Sequence, residues 1–170
     1  DALKREVDAP GTAGTKRLRP RAAATLIILE RSSTVPRVLL GKRRADLAFM
    51  AGKYVFPGGR VDRTDHSVPV ASELAPEETA KLLVAMRGIP SPARARALGA
   101  AAIREAFEEA GIVIGAPSTR NASAVSPAWQ PFHQTGFGPA LKPLLLIARA
   151  ITPPGRSRRP PRSAPGLRAA

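Results

Sequence analysis

Three glutamates, Glu105, Glu108 and Glu109, are clustered in one short stretch of the chain. Residues three or four positions apart are neighbours on an α-helix, so we expect these carboxylates on one face. Like charges placed this way repel one another, and a helix that needed only solubility would mix in lysines. Carboxylates grouped without a lysine suit a hard divalent metal ion, which takes oxygen ligands. A solvated acidic face on an amphipathic helix is the alternative interpretation.

Local signals give this helix both of its ends. Ser91 is a favourable N-cap residue with Pro92 at the first helical position, and Gly111 suits a left-handed C-cap, so we predict a helix over 92–110. Upstream, Pro57-Gly58-Gly59 predicts a tight turn in which the backbone can approach a ligand closely.

The stretch Arg104-Glu105-Ala106-Phe107-Glu108-Glu109-Ala110-Gly111-Ile112 resembles the second half of the Nudix hydrolase signature, R-E-U-x-E-E-x-G-U, where U is aliphatic. Gly59 matches the opening glycine of that signature. Counting back from Arg104 places the first glutamate of the signature at Arg96, whereas counting forward from Gly59 places it at Asp65. An insertion at about 66–91 reconciles the two counts, with Asp65 standing in for the glutamate. The stretches Leu39–Arg43 and Gly52–Gly59 are similar to the coenzyme A diphosphatase-like branch of the family.

The resemblance implies an α+β fold, a Nudix-like α/β/α sandwich with a mixed sheet. It also implies hydrolysis of the diphosphate bond in a nucleoside diphosphate linked to another group, such as coenzyme A or its acyl derivatives. Its partner would be a small-molecule nucleotide. The alternative is a Nudix-like module that binds a nucleotide with little or no cleavage.

The resemblance also assigns roles to particular residues. Glu105 and Glu109 would be the main ligands of Mg²⁺ or Mn²⁺, and Glu108 a further ligand or the base that takes a proton from water. Arg104 would hold a glutamate in place. The cofactor-binding residues would be Gly58, Gly59 and Arg43. Gly58 and Gly59 would shape the loop that faces the helix. Arg43 would contact substrate phosphate, or it is an exposed residue at the end of a strand.

Composition limits the other classes of function. The net charge of +14 is concentrated at the two ends of the chain, where charged runs are usually solvated, which argues against a dedicated nucleic-acid role. The sequence has no cysteine, and it lacks the run of about 18 apolar residues that a membrane-spanning helix needs. We therefore expect a cytoplasmic protein without membrane contact, and the sequence leaves open whether it forms a homodimer.

The predicted organisation is one domain between two basic ends. Residues 1–20 are predicted as a flexible basic lead-in, 21–156 as the Nudix-like domain and 157–170 as a disordered basic tail, rich in Arg, Pro and Ser. The resemblance stops near Arg156, so we expect the chain to lack the C-terminal part of the domain.

Hydrophobic patterning predicts the remaining elements. We predict strands over 22–29, where the run is buried, and over 37–43, 54–56, 112–114 and 144–150, and a helix over 76–87. Residues 45–51 are predicted as a loop or a short turn of helix, and 115–127 as a loop. The segment from Trp129 to Phe137 is predicted as a loop at the substrate site, with His133 as a surface residue rather than a catalytic one.

Overall fold

The computed structural model describes residues 21–43, 52–150 and 168–169. Its dominant element is a helix over Pro92–Ala110, as predicted. Pro92 occupies its first turn, and Gly111 ends it in the left-handed conformation with a φ of 69°. Ser91 is the N-cap residue, although its backbone carbonyl, rather than its side chain, accepts the first N–H groups, those of Arg94 and Ala95. The local signals at the two ends of this helix therefore suffice to define it.

Two further helices accompany it, and they are numbered here in chain order. Helix α1 spans Pro76–Leu83, helix α2 is the long helix Pro92–Ala110, and helix α3 is the short Gln130–His133. The prediction of α1 as far as residue 87 was wrong, because Ala85 adopts a positive φ of 55° that breaks the helix. No helix in the described ranges has both the length and the apolar character needed to span a bilayer.

Short strands form small antiparallel sheets. The described residues contain nine strands: β1 Ala23–Thr25, β2 Leu29–Glu30, β3 Arg37–Val38, β4 Gly41–Lys42, β5 Tyr54–Val55, β6 Gly58–Arg60, β7 Gly115–Pro117, β8 Phe137–Pro139 and β9 Arg168–Ala169. Strand β1 pairs with β6, β2 with β3, β4 with both β5 and β9, and β7 with β8. These strands with the helices give the predicted α+β class. The complete sandwich with a mixed sheet stays a prediction, since the parallel contact found within the described ranges is a single bridge from Ser72 to Ala140.

Several strand predictions need correction. The run 22–29 divides into β1 and β2 and alternates between exposed and half-buried positions, so it is not a buried strand. The run 37–43 likewise divides into β3 and β4. The strand expected at 112–114 lies at Gly115–Pro117 instead, inside the segment predicted as a loop, because Val113 and Ile114 pack against the core. Residues 45–51, 1–20 and most of the tail lie outside the described residues.

The predicted strand at 144–150 is also wrong. The backbone N–H of Leu146 donates to the Glu78 carboxylate at 2.6 Å, and the Arg149 guanidinium donates to the Leu82 carbonyl at 2.6 Å. These bonds hold the segment along α1, so it forms no strand among the described residues.

The core lies between α2 and the aromatic segment that follows β7. Its buried side chains are Val68, Ala100, Ile103, Val125, Trp129, Phe132 and Leu141. The segment around Trp129 is therefore not the predicted loop, and its place beside a substrate site stays a prediction. It forms a 3-10 turn over Pro127–Trp129 and then α3, and Trp129 and Phe132 are core residues.

The segment predicted as an insertion is attached to α2 by Arg96. The Arg96 guanidinium donates to the Val68 carbonyl at 2.5 Å and pairs with Glu73 at 3.0 Å. Further along, the Ala71 N–H donates to the Pro139 carbonyl at 2.8 Å. Arg96, which stands where a backward count expects an acid, thus fastens the inserted segment to the helix.

Candidate active site

Arg104 is the centre of a hydrogen-bonded cluster on α2. Its side chain is 8% exposed, and its Nε and Nη2 donate to the two carboxylate oxygens of Asp65 at 2.9 and 3.1 Å. Its Nη1 donates to Glu105 at 3.0 Å and to Glu108 at 3.1 Å, and its Nη2 also donates to the Arg60 carbonyl at 2.9 Å. Burial lowers the pKa of Arg104, but the surrounding carboxylates outweigh burial and raise that pKa overall. The guanidinium is therefore a fixed cation that orients the acids around it.

Asp65 is the buried anchor of this cluster. Its side chain is fully buried, at 0% exposure, and besides Arg104 it accepts hydrogen bonds from the Trp129 indole at 3.2 Å and the Asp62 backbone N–H at 2.7 Å. It lies in a 3-10 turn over Arg63–His66 that Asp62 caps. A buried charge is tolerated only when it is paired and hydrogen-bonded, and Asp65 meets both conditions. Both of its oxygens are engaged, so its position suits holding Arg104 rather than binding a ligand.

Glu105 and Glu109 face the glycines that follow Pro57. The Gly58 backbone N–H donates to Glu109 Oε2 at 3.0 Å. A Cβ added at Gly59 would collide with the Glu105 carboxylate, and one at Gly58 would lie 2.5 Å from the Ala24 carbonyl oxygen. Glycine is therefore required at Gly58, where the backbone of β1 leaves no room for a side chain, whereas a side chain at Gly59 would displace the Glu105 carboxylate.

The geometry at these glycines differs from the predicted tight turn. The bend is at Pro57, and Gly58–Arg60 continues as β6, paired with β1 in the register Ala24 to Gly59. Pairing with β1 on one side and contact with α2 on the other fix the backbone against the two carboxylates.

Burial makes these two carboxylates hard to ionise. Burial raises the pKa of Glu109 to about 7; the Gly58 hydrogen bond and the charge of Arg43 lower it, and the neighbouring glutamates raise it further. Burial likewise raises the pKa of Glu105, against the opposing charge of Arg104. A cation held between the two groups would favour their charged forms.

The carboxylates of this cluster are the candidate ligands of the predicted Mg²⁺ or Mn²⁺. Within the described part of the chain, no three His, Asp or Glu side chains are grouped closely enough to hold a metal ion. Glu108, the predicted third ligand, has a 46% exposed side chain and pairs with Arg104. Mg²⁺, however, is commonly held by only one or two carboxylates together with waters and substrate phosphates. Two half-buried carboxylates with raised pKa values at one glycine segment fit that mode of binding.

Two other predicted residues differ in their surroundings. Arg43 directly follows β4, where its backbone bonds with those of Gly52 and Lys53, and its charge acts on Glu109. The prediction of His133 as a surface residue was wrong: it is 5% exposed, and neither ring nitrogen has a hydrogen-bond partner in the part of the chain that the structure describes. Burial lowers the pKa of His133, and the charge of Arg120 lowers it further.

The sequence reasoning missed Trp129 as a member of the cluster. Its indole N–H reaches Asp65 across 64 positions of the chain. The one available signal was that a buried tryptophan needs an acceptor for its N–H group. That signal names no partner, so the contact could not be read from the sequence.

Comparison with known proteins gives one structural likeness. No family model and no curated protein matches the chain. The crystal structure of a NUDIX hydrolase from Alicyclobacillus acidocaldarius is similar, with a TM-score of 0.51 and 24% sequence identity over 80% of this chain. The match spans 64% of that protein's length. At this level of identity the likeness is one of fold alone: the α+β fold of this chain is similar to that of the NUDIX hydrolase.

Proposed function

We propose that the protein is a metal-dependent Nudix hydrolase that cleaves the diphosphate bond of a nucleoside diphosphate linked to another group. The observation that carries the proposal is the placement of Glu105 and Glu109. Both carboxylates lie against the Gly58–Gly59 backbone, and both have raised pKa values. Such a site favours a divalent cation, which would lower the electrostatic cost of two neighbouring carboxylates.

Each side chain of the cluster has a separate role in the proposed hydrolysis. A bound Mg²⁺ or Mn²⁺ would neutralise the negative charge of the diphosphate oxygens and lower the pKa of bound water. Glu105 and Glu109 hold the cation, and Arg104 keeps the acidic face of α2 in one arrangement. Glu108 takes the proton of the attacking water or acts as a further ligand of the cation, and its side chain is 46% exposed, so water can reach it. Water adds its oxygen to one phosphorus, the bridging P–O bond breaks, and two phosphate esters leave.

The substrate class rests on sequence similarity outside the acidic helix. Leu39–Arg43 and Gly52–Gly59 are similar to the coenzyme A diphosphatase-like branch. Arg43 lies close enough to lower the pKa of Glu109, so its charge would also act on the phosphates of a ligand held there. Coenzyme A and its acyl derivatives are accordingly the first substrates to test.

One observation favours a second candidate, a nucleotide-binding module that cleaves weakly or not at all. No group of three acids is arranged for a metal ion within the described residues, and Glu108 is turned to Arg104. A site with two carboxylate ligands would still hold a cation-bound diphosphate, even where water is poorly placed for attack.

A substrate panel separates the two functions. Coenzyme A, NADH and ADP-ribose are incubated with the protein in Mg²⁺, in Mn²⁺ and in EDTA, and the phosphate products are quantified. The hydrolase produces the two phosphate esters only with metal, and Glu109→Gln removes that activity. Glu73→Gln, which alters an exposed pair with Arg96, is the matched control and keeps the activity. Binding without product in every metal condition would favour the binding module.

A further inference from the structure

We propose that Trp129 is a positioning residue of the hydrolase: its indole N–H fixes Asp65, and through Asp65 it fixes the Arg104 guanidinium against Glu105 and Glu108. The role of these glutamates rests on the proposed function. The contact itself does not, because it is a feature of the folded protein.

The contact converges on one oxygen atom. Asp65 Oδ1 accepts both the Trp129 indole N–H at 3.2 Å and the Arg104 Nε–H at 2.9 Å. Trp129 and Asp65 are both fully buried, at 0% exposure. Water therefore cannot reach Asp65 Oδ1 to replace the indole N–H. The indole therefore restricts where this oxygen can lie, and with it the plane of the guanidinium that Asp65 holds through two bonds.

The indole is itself held in place by aromatic packing. The Trp129 ring meets Phe132 edge-on, with centroids 5.6 Å apart, and Phe132 meets Phe107 in the same manner at 5.2 Å. Phe107 belongs to α2 and directly precedes Glu108. The ring contacts thus connect Trp129 to α2, the helix that carries the acids, and hold the indole in place against that helix.

Packing alone does not require the indole nitrogen. Asp65 keeps three other donated hydrogen bonds, two from Arg104 and one from the Asp62 backbone, so a variant without the indole N–H should still fold. What such a variant loses is a donor at Oδ1, the oxygen that accepts the Arg104 Nε–H. The expected effect is greater freedom of the guanidinium.

The test compares Trp129→Phe with Phe132→Leu. The first removes the N–H donor and keeps an aromatic ring; the second disturbs the same aromatic cluster without touching Asp65. In metal-free protein, ¹⁵N NMR measures solvent exchange of the Arg104 Nε–H proton. We expect exchange about tenfold faster in Trp129→Phe, in keeping with the loss of one buried hydrogen bond to a charged group. Phe132→Leu loosens the packing that holds the indole but keeps its N–H donor, so it should accelerate exchange much less. With Mg²⁺ and substrate, kcat should fall about tenfold while KM stays within about twofold.

Unchanged exchange in Trp129→Phe, or equal acceleration in Phe132→Leu, would overturn the proposal, as would faster exchange with unchanged kcat. Lack of hydrolysis by the wild-type protein would refute the proposed function, and the exchange rates would still decide whether the indole restrains Arg104. Because Trp129 is the only tryptophan, benzothienylalanine can replace it throughout the protein. This analogue has sulfur in place of the N–H and keeps the bicyclic shape, so it gives the same readout should Trp129→Phe fold poorly.

Discussion

Asp65→Asn tests the buried anchor, because it removes one negative charge and changes the shape of the side chain very little. In the wild-type protein, Asp65 is fully buried and accepts four hydrogen bonds, from Arg104 Nε and Nη2, the Trp129 indole and the Asp62 N–H. Asparagine offers one acceptor oxygen and places an NH₂ group against donors. Breaking a buried ion pair typically costs about 3–5 kcal/mol. Arg104 keeps Glu105 and Glu108 as partners, so we expect the lower end, about 3 kcal/mol.

Urea unfolding followed by far-UV circular dichroism measures this loss in the free energy of unfolding. Asp62→Asn is the matched control, because it is the same substitution three positions away on an exposed side chain. Asp62 caps the 3-10 turn by accepting the Thr64 N–H, and asparagine caps about as well as aspartate, so its cost should stay below about 0.5 kcal/mol. The reasoning fails if Asp65→Asn is no more destabilising than Asp62→Asn.

Four further predictions follow from the same site and its surroundings. Glu109→Gln should lower metal-dependent hydrolysis by about 10²-fold or more, measured as kcat/KM; wild-type turnover in this variant would remove Glu109 from the site. Because burial raises the pKa of Glu109 to about 7, the metal-free folded state binds more protons than the unfolded state below that pH. Thermal unfolding should therefore show stability falling as pH rises from about 4.5 to about 7, with a smaller fall in Glu109→Gln. Gly59→Ala should displace Glu105 and lower activity at least tenfold in a folded protein, as its Cβ has no space beside that carboxylate; a circular dichroism spectrum like that of the wild type together with full activity would contradict this. His133→Leu should stabilise the protein by about 1 kcal/mol in denaturant at pH 7.5 and by more at pH 5.5, since the lowered pKa of His133 makes the wild type lose stability as pH falls through 6.5; equal effects at both pH values would count against a buried neutral histidine.

The long helix shows what the sequence could predict. Its signals are local: Pro92 in the first turn, Gly111 at the C-cap and apolar residues at helical spacing all lie within the element itself. The same spacing placed Glu105, Glu108 and Glu109 on one face. A periodic pattern with both caps present needs no information from the rest of the chain, which is why both ends of α2 agree with the structure.

Contacts between distant parts of the chain were beyond the same reasoning. Arg104 and Asp65 are 39 positions apart, and forward counting from Gly59 suggested Asp65 without naming a partner for it. The error at His133 has the same origin, because a polar residue in a Gly- and Pro-rich segment carries no local sign that α3 will bury it. Residues 144–150 have the composition of a strand, but the Glu78 carboxylate captures the backbone N–H of Leu146. In each case a tertiary contact overrides the local propensity.

The central claim is that Glu105 and Glu109 hold a divalent cation beside Gly58–Gly59. Isothermal titration calorimetry with Mn²⁺ tests it directly on the wild-type protein, the double variant Glu105→Gln/Glu109→Gln and the control Glu73→Gln. We predict saturable binding by the wild type and the control, and affinity at least tenfold weaker in the double variant. No saturable binding by the wild type, or equal affinity in the double variant, would contradict the claim.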